Sequence, residues 1–286
     1  MKNNTLSDED KTMFLLIAPS LMGFMLFFLL PFVLSFYLSL VDSNMSMRYV
    51  GMYNYKAVLE NEGFRLAIKN TLLFLSMYLP ISIILPLVMA LLINKVEKFK
   101  DLYIFVFLLP LIIPSGSMVT FWNSVVGING IINKIFFATG PIDWMNSDYA
   151  RLFIVIIFVW KNAGYNMVFF LTGLGFIPKE YYEFAKVEGA GALNVLSRIT
   201  LPSLIPSFFM VIIMSVINSF NAFKEIRLLA GDYPHLSIYM LQHYINNQLN
   251  TFNYQKLASS SYIISVLFVV VALGILRYQN KTLGRV

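Results

Sequence analysis

A polar segment between two long apolar runs holds the residues best suited to contact another protein. It reads Ile177-Pro178-Lys179-Glu180-Tyr181-Tyr182-Glu183-Phe184-Ala185-Lys186-Val187-Glu188-Gly189-Ala190-Gly191. Glu183 offers a carboxylate to an arginine or to a helix N-terminus on a partner. The small residues Ala185, Gly189, Ala190 and Gly191 let a short helix seat deeply in a groove, and Gly189 permits a sharp turn. The pattern indicates docking chemistry, with an ordinary structured loop or an amphipathic helix lying on the lipid surface as the alternatives.

Catalytic and metal-binding chemistry has weak support in the sequence. Cysteine is absent, which excludes thiolate metal sites and a cysteine nucleophile. The two histidines, His235 and His243, are expected on a solvated outer loop. No Gly-Lys dipeptide occurs, so the phosphate-binding loop of ATPases is missing. We therefore expect no catalysis, no metal site and no cofactor in this chain, and any ATP and Mg²⁺ must be bound by a partner.

The composition predicts that membrane helices position these residues. Hydrophobic residues make up 58% of the 286 residues and charged residues 13%, whereas soluble domains carry about 25% charged residues. Soluble enzymes, nucleic-acid binders and disordered scaffolds are therefore poor interpretations, and the net charge of +6 fits anionic lipid better than nucleic acid. A membrane-crossing helix needs about 20 apolar residues. Six runs meet this requirement, and they predict an all-α integral membrane protein: Met13–Val41, Asn70–Asn94, Leu102–Val126, Leu152–Phe176, Leu204–Glu225 and Ala258–Leu276.

The domain organisation and orientation follow from the polar segments. Residues 1–12 lack the features of a signal peptide and are expected to be a cytosolic segment, followed by a single transmembrane domain over 13–286. With both termini in the cytosol, the inner segments carry 11 Lys and Arg over 56 residues, against 8 over 85 residues outside. This bias favours that orientation. It makes the loop 177–203 the one long cytosolic connection, between the fourth and fifth helices.

The third apolar run contains helix-breaking residues. Pro110 and Pro114 interrupt it, and Ser115-Gly116 follow. Such breaks inside a bilayer are tolerated where the backbone faces protein or a water-filled cavity. The run is therefore interpreted either as part of a translocation path or as a simply kinked helix.

The loop 177–203 resembles the EAA loop in the membrane subunits of binding-protein-dependent ABC importers. The family pattern is Glu-Ala-Ala, three residues, Gly, nine residues, Ile, one residue and Leu-Pro. The residues that match it are Glu183, Ala185, Gly189, Ile199, Leu201 and Pro202. Phe184 departs from the pattern, because the family usually has Ala there, and it adds bulk to the helix. The resemblance implies that this segment is the helix that couples the membrane subunit to an ATPase, with Glu183 and Gly189 as its central residues.

Other segments resemble the sugar permeases of this family. They are Trp160 with Gly164-Tyr165-Asn166-Met167, Val50-Gly51-Met52-Tyr53-Asn54-Tyr55, Asn70-Thr71-Leu72, and the stretch from Phe220 to Pro234. The resemblance implies a cell-membrane permease for a mono- or oligosaccharide, or for a relative such as glycerol phosphate. It further implies four kinds of contact: a second homologous permease, two cytosolic ATPase subunits, an extracytoplasmic solute-binding protein and membrane lipid.

Charged residues inside the apolar runs are candidates for the substrate path. Lys161 lies about 13 Å inside the fourth run at 1.5 Å per residue. A lysine there either lines the path or pairs with an acid, or else it extends to the membrane surface. Lys224, Glu225 and Arg227 close the fifth run, either as a polar mouth to the path or as an ion-paired helix end.

Polar and aromatic residues complete the candidate path. Asn162, Asn166, Asn218 and Asn221 suit sugar hydroxyls, although such residues also join helices to one another. Trp160, Tyr165 and Phe220 suit stacking on sugar faces, although most aromatic side chains must face lipid or the core. Trp122 and Trp144 are expected to be interface anchors. The predicted substrate path is Trp160, Lys161, Asn162, Tyr165, Asn218, Phe220, Asn221 and Lys224.

Two other classes of function compete with this interpretation. A secondary transporter driven by an ion gradient needs titratable or oxygen-rich sites near the middle of the membrane. Glu225 is the one acidic residue within the predicted runs, and it lies at an edge. A membrane enzyme needs an acid–base pair or a metal cluster, and the sequence shows neither.

Overall fold

The computed structural model describes residues 8–43, 45–137 and 139–283, and all regular elements in these ranges are helical. The backbone also forms one isolated bridge, between Val41 and Tyr49. The all-α prediction is therefore confirmed. Most of the predicted cytosolic segment 1–12 lies outside the described residues, as does the end of the chain at 284–286. The single domain predicted over 13–286 stays a prediction.

The helices in the described ranges are numbered in chain order. The first seven are α1 Asp8–Phe24, α2 Leu30–Ser39, α3 Tyr53–Glu60, α4 Glu62–Ile93, α5 Lys100–Ile112, α6 Ser115–Val126 and α7 Ile131–Phe136. The others are α8 Ala150–Gly175, α9 Lys179–Val187, α10 Ala192–Val195, α11 Leu201–Ser203, α12 Ile205–Ala230, α13 Leu241–Asn250 and α14 Tyr254–Leu283. Within the described part of the chain, five helical stretches are long and apolar enough to cross a membrane, or six if one bent pair counts as a span.

The bent pair corresponds to the third predicted run, Leu102–Val126, which is broken into two helices. The chain turns by 95° between α5 and the helices that follow it. Ile113 and Pro114 are extended at the break. A proline disfavours helical backbone in the residue before it, and this effect explains the site of the break. The interruption predicted at Pro114 is confirmed, whereas the one predicted at Pro110 is wrong, because α5 continues through that residue.

Proline also explains two π-helical turns. One covers Met25–Leu29 and comes just before Pro31, and the other covers Leu196–Thr200 and comes just before Pro202. A proline has no N–H to donate to the carbonyl four residues earlier, so the preceding turn can widen. The first predicted run is consequently two helices, α1 and α2, joined by a π turn.

The other predicted runs form helices with shifted ends. The helix α4 begins at Glu62 rather than Asn70, and α14 extends from Tyr254 to Leu283. The additional turns are more polar than the apolar runs, so a hydropathy pattern does not include them. Helices continue beyond the apolar layer because their backbone hydrogen bonds are satisfied internally.

The chain divides into two compact units. One contains residues 1–61 and 247–266, and the other contains residues 62–246 and 267–286. In the first unit, the Asn54 side chain donates to the carbonyls of Ser39 and Val41, at 3.0 and 2.8 Å. The Ser39 and Tyr55 hydroxyls also lie 2.7 Å apart. These bonds join the end of α2 to α3.

The second unit is built on the packing of α4, α8 and α12. Phe74 and Tyr78 stack along α4, and Phe158 of α8 packs edge-on against both rings. Gly164 lets α5 approach α8, because a Cβ at that position would lie 1.9 Å from the Phe107 carbonyl oxygen. The loop that contains α9 follows α8 in the chain, and Lys161 and Glu225 lie in α8 and α12. These packed helices therefore position both groups of candidate functional residues.

Candidate functional site

The helix α9 is held against the body of the second unit by one face. It begins after Pro178, which is extended, and Glu180 and Lys186 in its first and last turns suit the helix dipole. Ala185 is buried, and Tyr182 packs against the apolar cluster near Ile177. The loop 177–203 thus contains a helix with a fixed inner face.

A glycine turn ends α9. Gly189 has φ +70°, its N–H donates to the Lys186 carbonyl at 3.2 Å, and the Ala190 N–H donates to the Ala185 carbonyl at 2.9 Å. This pair of bonds is the Schellman motif, in which the left-handed residue is usually glycine. The helix α10 then starts after Gly191. The sharp turn predicted at Gly189 is confirmed.

The predicted coupling residues lie in α9, in the glycine turn after it, and in the helical turns that follow as far as α11. Glu183, Gly189 and Gly191 are exposed, and Ala190 is half-buried. Ile199 packs on the same apolar cluster as Tyr182. Leu201 and Pro202 form the short α11. The role of these residues in coupling stays a prediction.

Lys161 and Glu225 form an ion pair between α8 and α12. The Glu225 side chain is 2% exposed and the Lys161 side chain 15%. The Ser115 hydroxyl, at the start of α6, donates to the same oxygen of Glu225 at 3.3 Å. Of the two interpretations of Lys161, the structure supports pairing with an acid rather than extension to the membrane surface. We call Ser115, Lys161 and Glu225 the charged centre.

Lys224 lies at a cavity that borders the charged centre. Its side chain is exposed, and it lines this cavity of about 520 Å³ together with Phe223, Arg227 and Ser115 of the charged centre. Arg227 pairs with Asp232 at 2.5 Å. The ion-paired helix end is therefore present, and the role of these residues as a polar mouth to the path stays a prediction.

Trp160, which precedes Lys161 in the sequence, belongs to a cluster of aromatic rings. Trp160 stacks on Phe121, with 6.0 Å between ring centroids, and meets Trp122 edge-on at 5.5 Å. Trp122 is therefore part of an aromatic cluster rather than an isolated interface anchor. Trp144 is buried, and its indole N–H donates to the Asn133 side-chain oxygen at 3.1 Å, so its predicted anchoring role is wrong.

The buried asparagines act within and between helices. Asn162 donates to the Phe158 carbonyl in its own helix at 2.9 Å. Asn166 donates to the Ser82 carbonyl and to the Ser215 hydroxyl, both at 3.0 Å, and thereby joins α4, α8 and α12. For Asn166 the structure favours the role of joining helices.

The remaining predicted path residues are spread over two helices. Tyr165 meets Phe169 edge-on, and Phe220 packs against Phe268 at 4.1 Å. Asn218 is half-buried and Asn221 is exposed. Trp160 and Lys161 adjoin in sequence, but the structure does not gather the eight predicted path residues into one pocket.

His243 is fully buried, which contradicts its expected place on a solvated loop. Its Nδ1 accepts from the Met240 N–H at 3.2 Å, and its ring meets Phe223 edge-on. Burial lowers the pKa of His243 to about 4, with a small opposing effect from Asp232. The sequence held a signal for this burial, because the spacing of His243, Tyr244 and Asn247 places them on one side of a helix. All three residues are buried in α13.

The segment between α12 and α13 is bound to α4 and α8 by polar contacts. Arg151 donates to the Asn70 side-chain oxygen at 2.8 Å and to the Ser237 carbonyl at 3.1 Å. Asn70 in turn donates to the Leu236 carbonyl at 2.5 Å. Among the described residues, no group of three His, Cys, Asp or Glu is placed to hold a metal ion.

Known proteins match most of the chain. The family model described as binding-protein-dependent transport system inner membrane component matches residues 66–284. The arabinooligosaccharides transport system permease protein AraP of Bacillus subtilis (strain 168) is 31% identical over 223 residues, which cover 74% of this chain and 70% of that protein.

Two crystal structures share the fold. One is a bacterial ABC transporter involved in the import of the acidic polysaccharide alginate, with a TM-score of 0.80, 21% identity, and coverage of 97% of this chain and 96% of that chain. The other is the bacterial alginate ABC transporter in complex with alginate pentasaccharide-bound periplasmic protein, with a TM-score of 0.78, 20% identity, and coverage of 96% and 94%.

Proposed function

This chain belongs to the family of inner membrane components of binding-protein-dependent transport systems, and we propose that it is a permease subunit of an ATP-driven carbohydrate importer. The observation that carries the proposal is the match of the family model to residues 66–284, and the presence of a helix at Lys179–Val187, where the sequence predicts the coupling segment, supports it. The substrate class is supported by AraP, whose name refers to arabinooligosaccharides, and by the alginate transporter.

The proposed assembly contains three kinds of protein partner. A second, homologous permease completes the translocation path, and two ATPase subunits bind ATP and Mg²⁺ on the cytosolic side. A solute-binding protein delivers the carbohydrate from outside, as suggested by the sugar-bound periplasmic protein in the alginate complex. In this arrangement both termini of the chain and the loop 177–203 face the cytosol, in agreement with the Lys and Arg bias.

The proposed coupling step is mechanical. Closure of the ATPases around ATP pushes on α9, and the inner contacts of Tyr182 and Ala185 pass that motion to the body of the second unit. The two permeases then change from an inward-facing to an outward-facing arrangement and receive the sugar. Glu183 is exposed for pairing with a cation, and Gly189 sets the direction in which the chain leaves α9.

The proposal is tested with the complete transporter and its binding protein in proteoliposomes. Glu183→Lys reverses the charge of the exposed carboxylate, and Gly189→Val places a β-branched residue at a positive φ, which is strained. We expect both variants to assemble in the membrane but to lose ATP-driven sugar uptake. Glu60→Lys, at an exposed glutamate in α3, is the charge-matched control. Uptake at the wild-type rate in both loop variants would refute the coupling role.

A further inference from the structure

The outer face of α9 has an unusual composition. Tyr182 and Ala185 point toward the body of the protein, and at 3.6 residues per turn the opposite side of the helix carries four other residues. These are Glu180, Glu183, Phe184 and Val187, and all four are exposed. They are neighbours at spacings of three and four residues, so two carboxylates and two apolar side chains form one patch. We call these four residues the outer face.

The fold leaves the apolar half of the outer face uncovered by the described residues of this chain. Phe184 is 67% exposed and Val187 is 85% exposed, although both belong to a well-formed helix. The apolar cluster under α9 is already filled by Tyr182, Ile199 and their neighbours. An uncovered ring gains little from packing within this chain, whereas aromatic residues in pockets are frequent energetic centres of protein interfaces.

The space around the outer face permits close approach by another protein. A Cβ built on Gly189 or on Gly191 would meet no atom within 4 Å, so the turn beside the helix is open. The two carboxylates lie beside the ring on the same face, and they favour a partner surface with positive charge around an apolar pocket. The outer face therefore predicts a partner surface that has an apolar pocket with basic side chains around it.

We propose that Phe184 determines which ATPase this permease couples to. The fitting partner is an ATPase subunit whose docking groove has an apolar pocket large enough for a phenyl ring and basic side chains at its edge. The inference rests on the proposed function and adds partner selectivity to it. An ATPase groove shaped for the alanine that the family usually has at this position would clash with the ring, so such a subunit would bind this chain poorly.

The test measures binding of the cognate ATPase, without nucleotide, to the purified permease pair in lipid nanodiscs. We expect Phe184→Ala to raise Kd about tenfold or more, as for a central interface residue. Phe184→Leu should recover part of the affinity. Tyr181→Ala is the matched control, because Tyr181 is an exposed aromatic residue of the same helix outside the outer face, and we expect its Kd to stay within about twofold, as at a peripheral position.

A separate variant tests how much the carboxylates of the outer face contribute to binding of the ATPase. Glu180→Gln keeps the size of the side chain and removes one carboxylate, so we expect weaker binding with a smaller dependence on salt. All four substitutions are at exposed positions, and elution of the permease pair from size exclusion checks that each variant is folded. A Kd for Phe184→Ala within twofold of the wild type would overturn the proposal.

Failure of this inference is distinguishable from failure of the proposed function. If Phe184→Ala binds normally while Glu183→Lys and Gly189→Val abolish uptake, the coupling role stands and the partner selectivity is wrong. If no ATPase binds the wild-type permease pair at all, the proposed function fails as well.

Discussion

At the scale of single residues, burial of the charged centre carries a cost in desolvation free energy. Two opposite charges are buried between α8 and α12, and one oxygen of Glu225 has no hydrogen-bond partner among the residues that the structure describes. A buried pair of this kind contributes little net stability, but breaking it leaves an uncompensated charge. Because Ser115 also contacts Glu225, the centre joins α6, α8 and α12.

We predict that Lys161→Met destabilises the protein by about 3 kcal/mol, because Glu225 loses its counter-ion. The double variant Lys161→Met with Glu225→Leu removes both charges and should return to near the wild-type stability. Thermal unfolding of the purified protein in detergent measures both. A double variant that unfolds as early as the single one would show that the pair does not act as a unit.

His243 supports a prediction about pH. Its pKa is about 4 in the folded protein, below its ordinary value of 6.5, because burial disfavours the charged ring; Asp232 raises this pKa and Arg227 lowers it. Between about pH 6.5 and 4 the unfolded chain binds a proton that the folded protein does not. Stability is therefore lost as the pH falls through this window, by about 3 kcal/mol in total at about 1.4 kcal/mol per unit.

The measurement is thermal unfolding as a function of pH for the wild type and for His243→Gln, which keeps a hydrogen-bond acceptor but does not titrate. The difference between the two proteins should change between pH 6.5 and pH 4.5 and stay constant above pH 7. Parallel pH profiles across the whole range would contradict the burial of a neutral His243.

At the scale of elements, the approach of α5 to α8 depends on Gly164. Any side chain there would overlap the backbone of Phe107, which cannot move without its helix. We predict that Gly164→Ala destabilises the protein by about 1–3 kcal/mol, as overpacking does.

Gly274→Ala in α14 is the control for this prediction, because a Cβ there meets nothing within 4 Å. Alanine in the middle of a helix is favoured over glycine by about 1 kcal/mol, so the control should be neutral or slightly stabilising. Thermal unfolding in detergent again measures both variants. Equal stability of the two alanine variants would contradict the close approach of α5 to α8 at Gly164.

Local chemistry made several elements predictable from the sequence. The apolar runs predicted the long helices, Pro114 predicted where the third run breaks, and Gly189 predicted the turn after α9. Each depends on a few neighbouring residues. The direction of the break, by contrast, depends on what α6 packs against, and no pattern within the run contains that information.

Long-range packing made the charged centre unpredictable. Lys161 and Glu225 are far apart in the sequence, and each alone is compatible with a place at the membrane surface. The burial of His243 has the same origin, since it requires α13 to pack with one side against membrane helices. Both errors concern which polar groups meet, rather than which residues form helices.

At the scale of the whole molecule, the chain is a membrane component that lacks the phosphate-binding loop of an ATPase. The energy for transport must then come from other subunits or from an ion gradient. Glu225, the acidic residue within the predicted runs, is paired with Lys161. The account therefore depends on ATP hydrolysed by partners that act through the loop 177–203.

The most direct test is sugar uptake by proteoliposomes that contain both permeases, the ATPase subunits and the sugar-loaded binding protein. We predict uptake that requires ATP on the ATPase side, and no uptake when the ATPases are omitted and a proton or sodium gradient is imposed. Gradient-driven uptake by the permeases alone would contradict the account.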